Sequence, residues 1–372
     1  MLPRRLGSLS AAGRTGPPEA SRRSLLPRGN TFAPVPAVTQ TIIVLFGGPS
    51  DERHVSVASA QNIVRTLHRP LAWFWTPEGA VHDVAAADLL AHKRPFEVDF
   101  EPARPAIFPT LEQALDTLPV EDPVFLLALH GTGGEDGTIQ RMLEQRGIPF
   151  TGSGSKASAA AFDKDSAKKL VRGKVRTAEA LVVRSEAELR GAADDLLSRH
   201  ERIVLKPLAG GSSRGLYFLG RNEELPTGLR FPYILEQFIT GRELTVGVID
   251  QGTGPFPLPV IEIEVDTNRT FDYAGKYLGA GTREICPAVI PDDMARAAQT
   301  TALAAHVALG CEGYSRSDLI AARDGIYFLE TNTLPGLTTS SLVPQELAVV
   351  GIPFRDFLEK QVELAGRKLV ST

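Results

Sequence analysis

The chain has 372 residues, room for two or three modules each with its own core, and its 43% hydrophobic and 23% charged content is that of an ordinary soluble globular protein. Lys and Arg number 40 against 44 Asp and Glu, so the net charge of −4 offers nucleic acid or an anionic membrane no attraction. The longest apolar runs, Thr41–Phe46 and Val124–Leu129, fall far short of the ~20 residues of a membrane span, and two cysteines, Cys286 and Cys311, make neither a disulfide framework nor a CxxC metal site, which fits a reducing, cytoplasmic compartment.

Residues 1–40 stand apart. Arg4, Arg5, Arg14, Arg22, Arg23 and Arg28 face a single acid, Glu19, a composition that cannot bury a core and is expected to be disordered. It reads as an N-terminal extension or a start placed too early, ahead of the alternative of a basic, acid-poor transit peptide directing the protein to a plastid or other organelle.

Thr41–Phe46 is expected to be a buried strand running into Gly47-Gly48-Pro49-Ser50. Ser50 suits an N-cap, Asp51 and Glu52 a first helical turn, and Val55, Ile63 and Leu67 a buried face. Strand, Gly-rich turn and helix N-terminus in that order point to an anion or polar-ligand site. GxGxxG is absent, which disfavours a nicotinamide dehydrogenase. A second strand, Val124–Leu129, leads into His130-Gly131-Thr132-Gly133-Gly134-Glu135-Asp136-Gly137 and a helix over Thr138–Arg146. Open parallel sheets bind ligands at such loops, outside the carboxyl ends of their strands.

Gly152-Ser153-Gly154-Ser155 opens one helical stretch to about Arg172, carrying Lys164. Strands over Arg202–Lys206 and Leu216–Leu219 flank a loop whose Gly210-Gly211-Ser212-Ser213-Arg214-Gly215, next to Lys206, suits wrapping a phosphate, although it is no P-loop. Tyr233–Ile239 is a strand holding Glu236, with Glu243 just after it; strands Leu244–Ile249 and Val260–Glu264 and a helix over Asp292–Leu309 follow. A last hairpin begins near Arg316. A three-residue loop, Arg323-Asp324-Gly325 with the glycine left-handed, pairs 318 with 330 and 316 with 332, and gathers Ile320, Ala322, Ile326 and Phe328 on the same face. Arg316, Asp318, Glu330 and Asn332 then share one face. Alone, that cluster is either the solvated end of a surface hairpin or a hard-metal and phosphate site. Joined to Lys206 and its loop, it reads as a nucleotide site held from two sides.

The segments Gly47–Ser56, Leu129–Gly137, Thr151-Gly152-Ser153, Lys206-Pro207, Phe271–Tyr277, Arg316-Ser317-Asp318, Glu330–Thr338 and Ser341-Leu342-Val343-Pro344 occur in this order. Together they resemble the D-alanine–D-alanine ligases of the ATP-grasp superfamily, from about Thr41 to the C-terminal helix. The resemblance implies an α/β fold of three domains: an open parallel-sheet αβ domain over 41–151, a central lid over 152–235 and a catalytic domain over 236–372, with ATP between the last two. It implies ATP-dependent formation of D-alanyl-D-alanine, for the cell-wall precursor, through an acyl phosphate. Lys164, Lys206 and Lys276 would serve ATP, Glu236 its adenine edge and Glu243 its ribose. Asp318, Glu330 and Asn332 would hold two Mg²⁺ ions, with Mn²⁺ as a substitute. Arg316 and the Gly336 N–H would stabilise the oxyanion. Glu52 would take the ammonium of the first D-alanine and His130 its carboxylate or the acyl phosphate. Ser341 and the Leu342 N–H would receive the second carboxylate. Phe271–Tyr277 would close over the site, with Tyr277 bonded to Ser212, and a tyrosine there favours an amine over a D-lactate nucleophile. The family is often dimeric, so a homodimer is compatible. A ligase taking D-serine second, or a non-catalytic ATP-binding regulator, is the alternative. Leu208-Ala209-Gly210, Phe271–Gly275 and the serine at 317 depart from the family pattern.

Overall fold

The computed structural model describes residues 39–211, 215–265 and 282–368. The basic segment 1–38, Ser212, Lys276, Tyr277 and the rest of Phe271–Tyr277 lie outside the described residues.

The first module runs β1 (Thr41–Gly47), α1 (Arg53–Thr66), β2 (Leu71–Trp75), β3 (Val81–Asp83), α2 (Ala86–Ala91), α3 (Leu111–Asp116), β4 (Pro123–Leu127) and α4 (Thr138–Glu144). Its sheet has the order β3-β2-β1-β4, parallel except for β3. Ile43–Phe46 and Val124–Leu127 are buried throughout, as strands covered on both faces require. Two helices, α5 (Ser155–Phe162) and α6 (Lys164–Val171), and a short β5 (Arg176–Thr177) lead into an antiparallel module. That module comprises β6 (Ala180–Val183), α7 (Glu186–Arg199), β7 (Arg202–Pro207), β8 (Tyr217–Gly220) and β9 (Tyr233–Gln237), in the order β6-β9-β7-β8. Val183, Leu196, Leu205 and Leu235 give it a separate core against α7.

The third module holds β10 (Arg242–Asp250), β11 (Pro255–Pro257), β12 (Ile261–Val265), β13 (Thr282–Ile285), α8 (Asp292–Ala308), β14 (Tyr314–Ala322), β15 (Gly325–Asn332), α9 (Leu342–Val350) and α10 (Phe354–Lys368). Its sheet runs β13-β12-β10-β14-β15-β5, with β11 on β10. Leu319, Ala321 and Phe328 pack under the alanine face of α8, at Ala298, Ala302 and Ala305. The far face of α10 returns to the first module: Phe357, Leu358 and Val362 belong to the same core as Ile43 and Phe125. The first and third modules therefore share one hydrophobic core, and the antiparallel module keeps its own.

Three local expectations are corrected. The helical stretch from Ser155 is broken at Asp163, which is extended and whose carboxylate accepts the Ser166 N–H at 2.7 Å. A side chain that caps the second helix better than it continues the first splits the pair, and Lys164 becomes the first residue of α6. Similarly, α1 starts at Arg53, one residue after Glu52; Ser50 does not cap it but forms a turn, accepting the Glu52 N–H at 3.0 Å. The last hairpin pairs Asp318 with Glu330 and Arg316 with Asn332 as expected, but by another route. Its loop is two residues, Arg323-Asp324, closing on the pair Ala322–Gly325, and an irregularity next to Leu319 adds one residue to β15. Ile326 and Phe328 therefore pair with Ala321 and Leu319 on the core side, not with Ile320 and Ala322 on the site face.

Candidate active site

Where the three modules meet lies a cavity of about 740 Å³. Glu52 and Gly131 reach it from the first module, Lys164 from α6, Lys206, Gly210, Phe218 and Glu236 from the antiparallel module, and Glu243, Asp318, Ile320, Leu329 and Glu330 from the third. The extra residue in β15 accounts for two consecutive residues, Leu329 and Glu330, facing the same space. Seven residues expected from sequence converge on this one cavity: Glu52, Lys164, Lys206, Glu236, Glu243, Asp318 and Glu330.

Its charges are cross-linked. The Lys164 ammonium donates to the Gly210 carbonyl at 2.7 Å and pairs with Glu330 at 3.3 Å, so α6 is tied both to the glycine loop and to the hairpin. Glu236, 3% exposed, lies between two ammoniums, Lys206 at 2.7 Å and Lys168 at 2.9 Å. Burial opposes ionisation of that carboxyl, yet the two lysines outweigh it and hold its pKa below the usual value. For Lys206, too, burial works against the charge, but Glu236 and Glu330 keep its pKa above the ordinary one. Burial dominates at Lys168 and lowers it. Lys168 was not singled out from sequence; its position four residues after Lys164, one turn along the same helix face, is the signal that could have found it.

Phe218 and Phe238 also line the cavity, with centroids 5.7 Å apart, edge to face. The Arg202 guanidinium lies 4.7 Å from the Phe238 ring and 5.9 Å from that of Phe218. With Ile320 and Leu329 they make one end of the cavity flat and apolar, which suits a planar heterocycle. No charged pattern marks this end, and sequence reading passed over it.

A second network adjoins the cavity. Arg316 grips Asp318 with two parallel bonds, 3.0 Å and 2.9 Å, and the Thr245 hydroxyl donates to Asp318 at 2.7 Å. Asn332 accepts the Leu334 N–H at 3.0 Å. The following loop, Thr333–Thr338, is pinned to α1: Asn62 donates to the Leu337 carbonyl at 2.8 Å, and the Leu337 N–H donates to the Ser59 hydroxyl at 3.1 Å. Ser59 stands 3.3 Å from His130 Nε2. The other ring nitrogen donates to the Leu334 backbone, so in the neutral ring Nε2 carries no proton and accepts from the Ser59 hydroxyl, whose oxygen accepts the Leu337 N–H. Burial pushes His130 down to about 4, so the ring is neutral at pH 7. It works by hydrogen bonding, not by charge.

Glu135, in the same loop as His130, accepts the Gly131 N–H at 2.7 Å. Burial, then the nearby Glu52 carboxylate, raises it to about 8. Gly336 comes so close to Ser341 that a Cβ there would stand 2.7 Å from the hydroxyl oxygen. Ser341 in turn accepts the Thr338 N–H at 3.1 Å and precedes the first turn of α9, whose N–H groups at Leu342 and Val343 have no partner within the helix. Arg316 thus bonds the cavity-lining Asp318 and pairs with Asn332 across the hairpin, while His130, through Ser59, meets the loop that carries Gly336, and Gly336 approaches Ser341, the residue before Leu342.

Family models described as the D-ala D-ala ligase N-terminus and C-terminus match residues 41–153 and 200–363. The chain belongs to the D-alanine–D-alanine ligase family. A D-alanine–D-alanine ligase of Syntrophobacter fumaroxidans is 36% identical over 335 residues, covering 87% of this chain and 97% of the relative. One from Ralstonia pickettii is 34% identical over 351 residues, covering 91% and 96%. Among solved structures, the VanG D-Ala:D-Ser ligase from Enterococcus faecalis superposes with a TM-score of 0.73 at 26% identity, covering 88% of this chain and 100% of that one. The D-alanine–D-alanine ligase from Bacillus anthracis complexed with ATP gives 0.67 at 25% identity, covering 90% and 99%. The fold is therefore the ATP-grasp α/β fold of these ligases. Among the described residues no helix is long and apolar enough to cross a membrane.

Proposed function

We propose that the protein is an ATP-dependent ligase that joins two D-alanines into D-alanyl-D-alanine. The observation that carries this is the convergence of two lysines, two hairpin carboxylates and Glu52, from separate segments, on one cavity with an apolar end. Lys164 and Lys206 sit where they can neutralise a triphosphate as point charges, while Phe218 and Phe238 offer the base a flat surface. Glu236, already held by two lysines, acts on the nucleotide as much through Lys206 as through its own contacts.

In the reaction the carboxylate of the first D-alanine attacks the γ-phosphorus, ADP leaves, and an acyl phosphate forms. The second D-alanine, as the free amine, attacks the acyl carbon, phosphate leaves, and the nitrogen gives up its proton to the released phosphate or to water. Glu52 pairs with the first ammonium. Arg316, two of whose five N–H groups go to Asp318, stands with the Gly336 N–H beside the developing oxyanion. His130, neutral, fixes the Thr333–Thr338 loop that carries Gly336. Ser341 and the N–H groups of the first turn of α9, which have no partner within the helix, take the second carboxylate.

The donor set fits a small hard cation: Asp318 and Glu330 oppose each other directly, Asn332 lies two pairs away, and all three offer oxygen. Mg²⁺ held there would share the charge of the phosphates. Two free cysteines suit a cytoplasmic setting. The likeness to the VanG D-Ala:D-Ser ligase favours D-serine as the competing second substrate.

Phosphate release with D-alanine, L-alanine, D-serine and D-lactate, with products identified by mass, separates these readings. D-alanine-dependent release with D-alanyl-D-alanine as main product is expected; ATP binding without D-alanine-dependent release would make the chain a non-catalytic regulator. Glu330→Gln should abolish turnover with the circular-dichroism spectrum unchanged, and near-normal turnover would remove Glu330 from the metal set.

A further inference from the structure

Glu346 is a carboxyl group with no surface exposure, in the second turn of α9, that none of the roles above uses. One oxygen accepts the Gly247 N–H at 2.7 Å, and the other makes no hydrogen bond. Such a group is costly to bury and calls for an explanation.

The topology supplies one. Along β10, pairing to β12 covers Glu243–Thr245 and pairing to β11 covers Val248–Asp250, so the edge at Gly247 falls in the gap between two partners. The Leu258 N–H fills half of that gap by donating to the Gly247 carbonyl at 2.7 Å, and Glu346 fills the other half. With both backbone groups of Gly247 turned to that edge, its cross-strand pair with Arg316 on β14 is a non-hydrogen-bonded one, in which side chains stand closest. A Cβ on Gly247 would lie 2.5 Å from the second Glu346 oxygen. Paired residues project to the same face of a sheet. The carboxyl therefore occupies the place of the missing neighbour of Arg316, opposite the Asp318 that holds the guanidinium. Glu346 also shares a helix with Leu342, one turn earlier, at the mouth where the second carboxylate is received.

We propose that Glu346 is a positioning residue, locking the start of α9, and with it Ser341 and Leu342, to β10 at Gly247, the residue that pairs with Arg316 on β14. Burial raises the pKa of its carboxyl well above the ordinary value, against the Gly247 N–H and the Arg316 charge, which lower it. This inference rests on the assignment of Ser341 and Leu342 as receptors for the second amino acid.

The test compares Glu346→Ala, Glu346→Gln and Gly247→Ala in the full chain. Glu346→Ala should raise KM for the second D-alanine at least tenfold, leaving the KM of ATP and of the first D-alanine within twofold. Glu346→Gln keeps the acceptor for the Gly247 N–H and should stay within threefold of the unmodified protein. Gly247→Ala, which displaces the carboxyl with a methyl group, should reproduce the alanine effect. Amide exchange at Gly247 should rise in Glu346→Ala and not in Glu346→Gln, whatever the turnover. A second-site KM unmoved in Glu346→Ala, or glutamine as damaging as alanine, would overturn the proposal. Absence of dipeptide from the unmodified protein would instead defeat the ligase reading, and unchanged Gly247 exchange in Glu346→Ala would then still defeat this one.

Discussion

Ser317 sits beside Asp318 and is fully buried, yet its hydroxyl is 2.8 Å from that of Thr331, the residue paired with it across the hairpin. The departure at 317 is thus answered by a second hydroxyl on the opposite strand. Removing one partner, Ser317→Val, leaves the other orphaned and should cost ~1–3 kcal/mol, whereas Ser317→Val with Thr331→Val should be nearly neutral. Urea unfolding of Ser317→Val, Thr331→Val and the double variant measures the coupling; a double-variant loss equal to the sum of the two single losses would mean that the hydroxyls act separately. At the other side of the site, Lys168, Glu236 and Lys206 together carry one net positive charge. Lys168→Met reduces that to zero, and ATP affinity, read by nucleotide titration, should fall roughly tenfold, or ~1.4 kcal/mol.

At the scale of elements, the position of Lys164 depends on a break in a helix. Because Asp163 caps α6 and Lys164 is its first residue, Asp163→Ala should destabilise by about 1 kcal/mol and also loosen the turn that offers Lys164 to the phosphates. A rise in the KM for ATP alongside the lower melting temperature is expected; a lower melting temperature with unchanged KM would separate the cap from the site. The break was not legible in the sequence, since Ser155–Arg172 contains neither Gly nor Pro and Asp163 acts only through a hydrogen bond. The buried strands were legible, because Ile43–Phe46 and Val124–Leu127 are uninterrupted apolar runs that only a doubly covered sheet accommodates. The hairpin was half legible. Asp318 does face Glu330, but the extra residue sits inside β15 and not in the turn, and turn chemistry carries no information about a bulge four residues away. Among site residues the charged ones other than Lys168 announced themselves, whereas Phe218, in β8, and Phe238, just after β9, are ordinary aromatic residues until the topology brings them together.

For the whole molecule, the shared core of the first and third modules and the buried titratable groups set how stability follows pH. Burial depresses both His130 and His306 to about 4, against 6.5 in the unfolded chain. Their contribution is complete above pH 6.5 and is lost as pH falls through 4, up to ~3 kcal/mol for each. Glu135 has the opposite sign: raised to about 8 from 4.5, its contribution is complete below pH 4.5 and disappears as pH rises through 8. His306, on α8, bonds the fully buried Ser315 and has no role in the substrate contacts proposed above. His306→Gln should therefore lose less melting temperature between pH 7 and 4.5 than the unmodified protein, with unaltered turnover at pH 7; identical pH profiles would assign the acid sensitivity elsewhere. The central claim, that three modules close one cavity in which a D-alanine carboxylate is phosphorylated before the peptide bond forms, is tested most directly by isotope transfer. With D-alanine labelled by ¹⁸O in its carboxylate and unlabelled ATP, each dipeptide formed should be matched by one ¹⁸O atom in the phosphate released. Unlabelled phosphate, with or without dipeptide, would contradict the acyl-phosphate route.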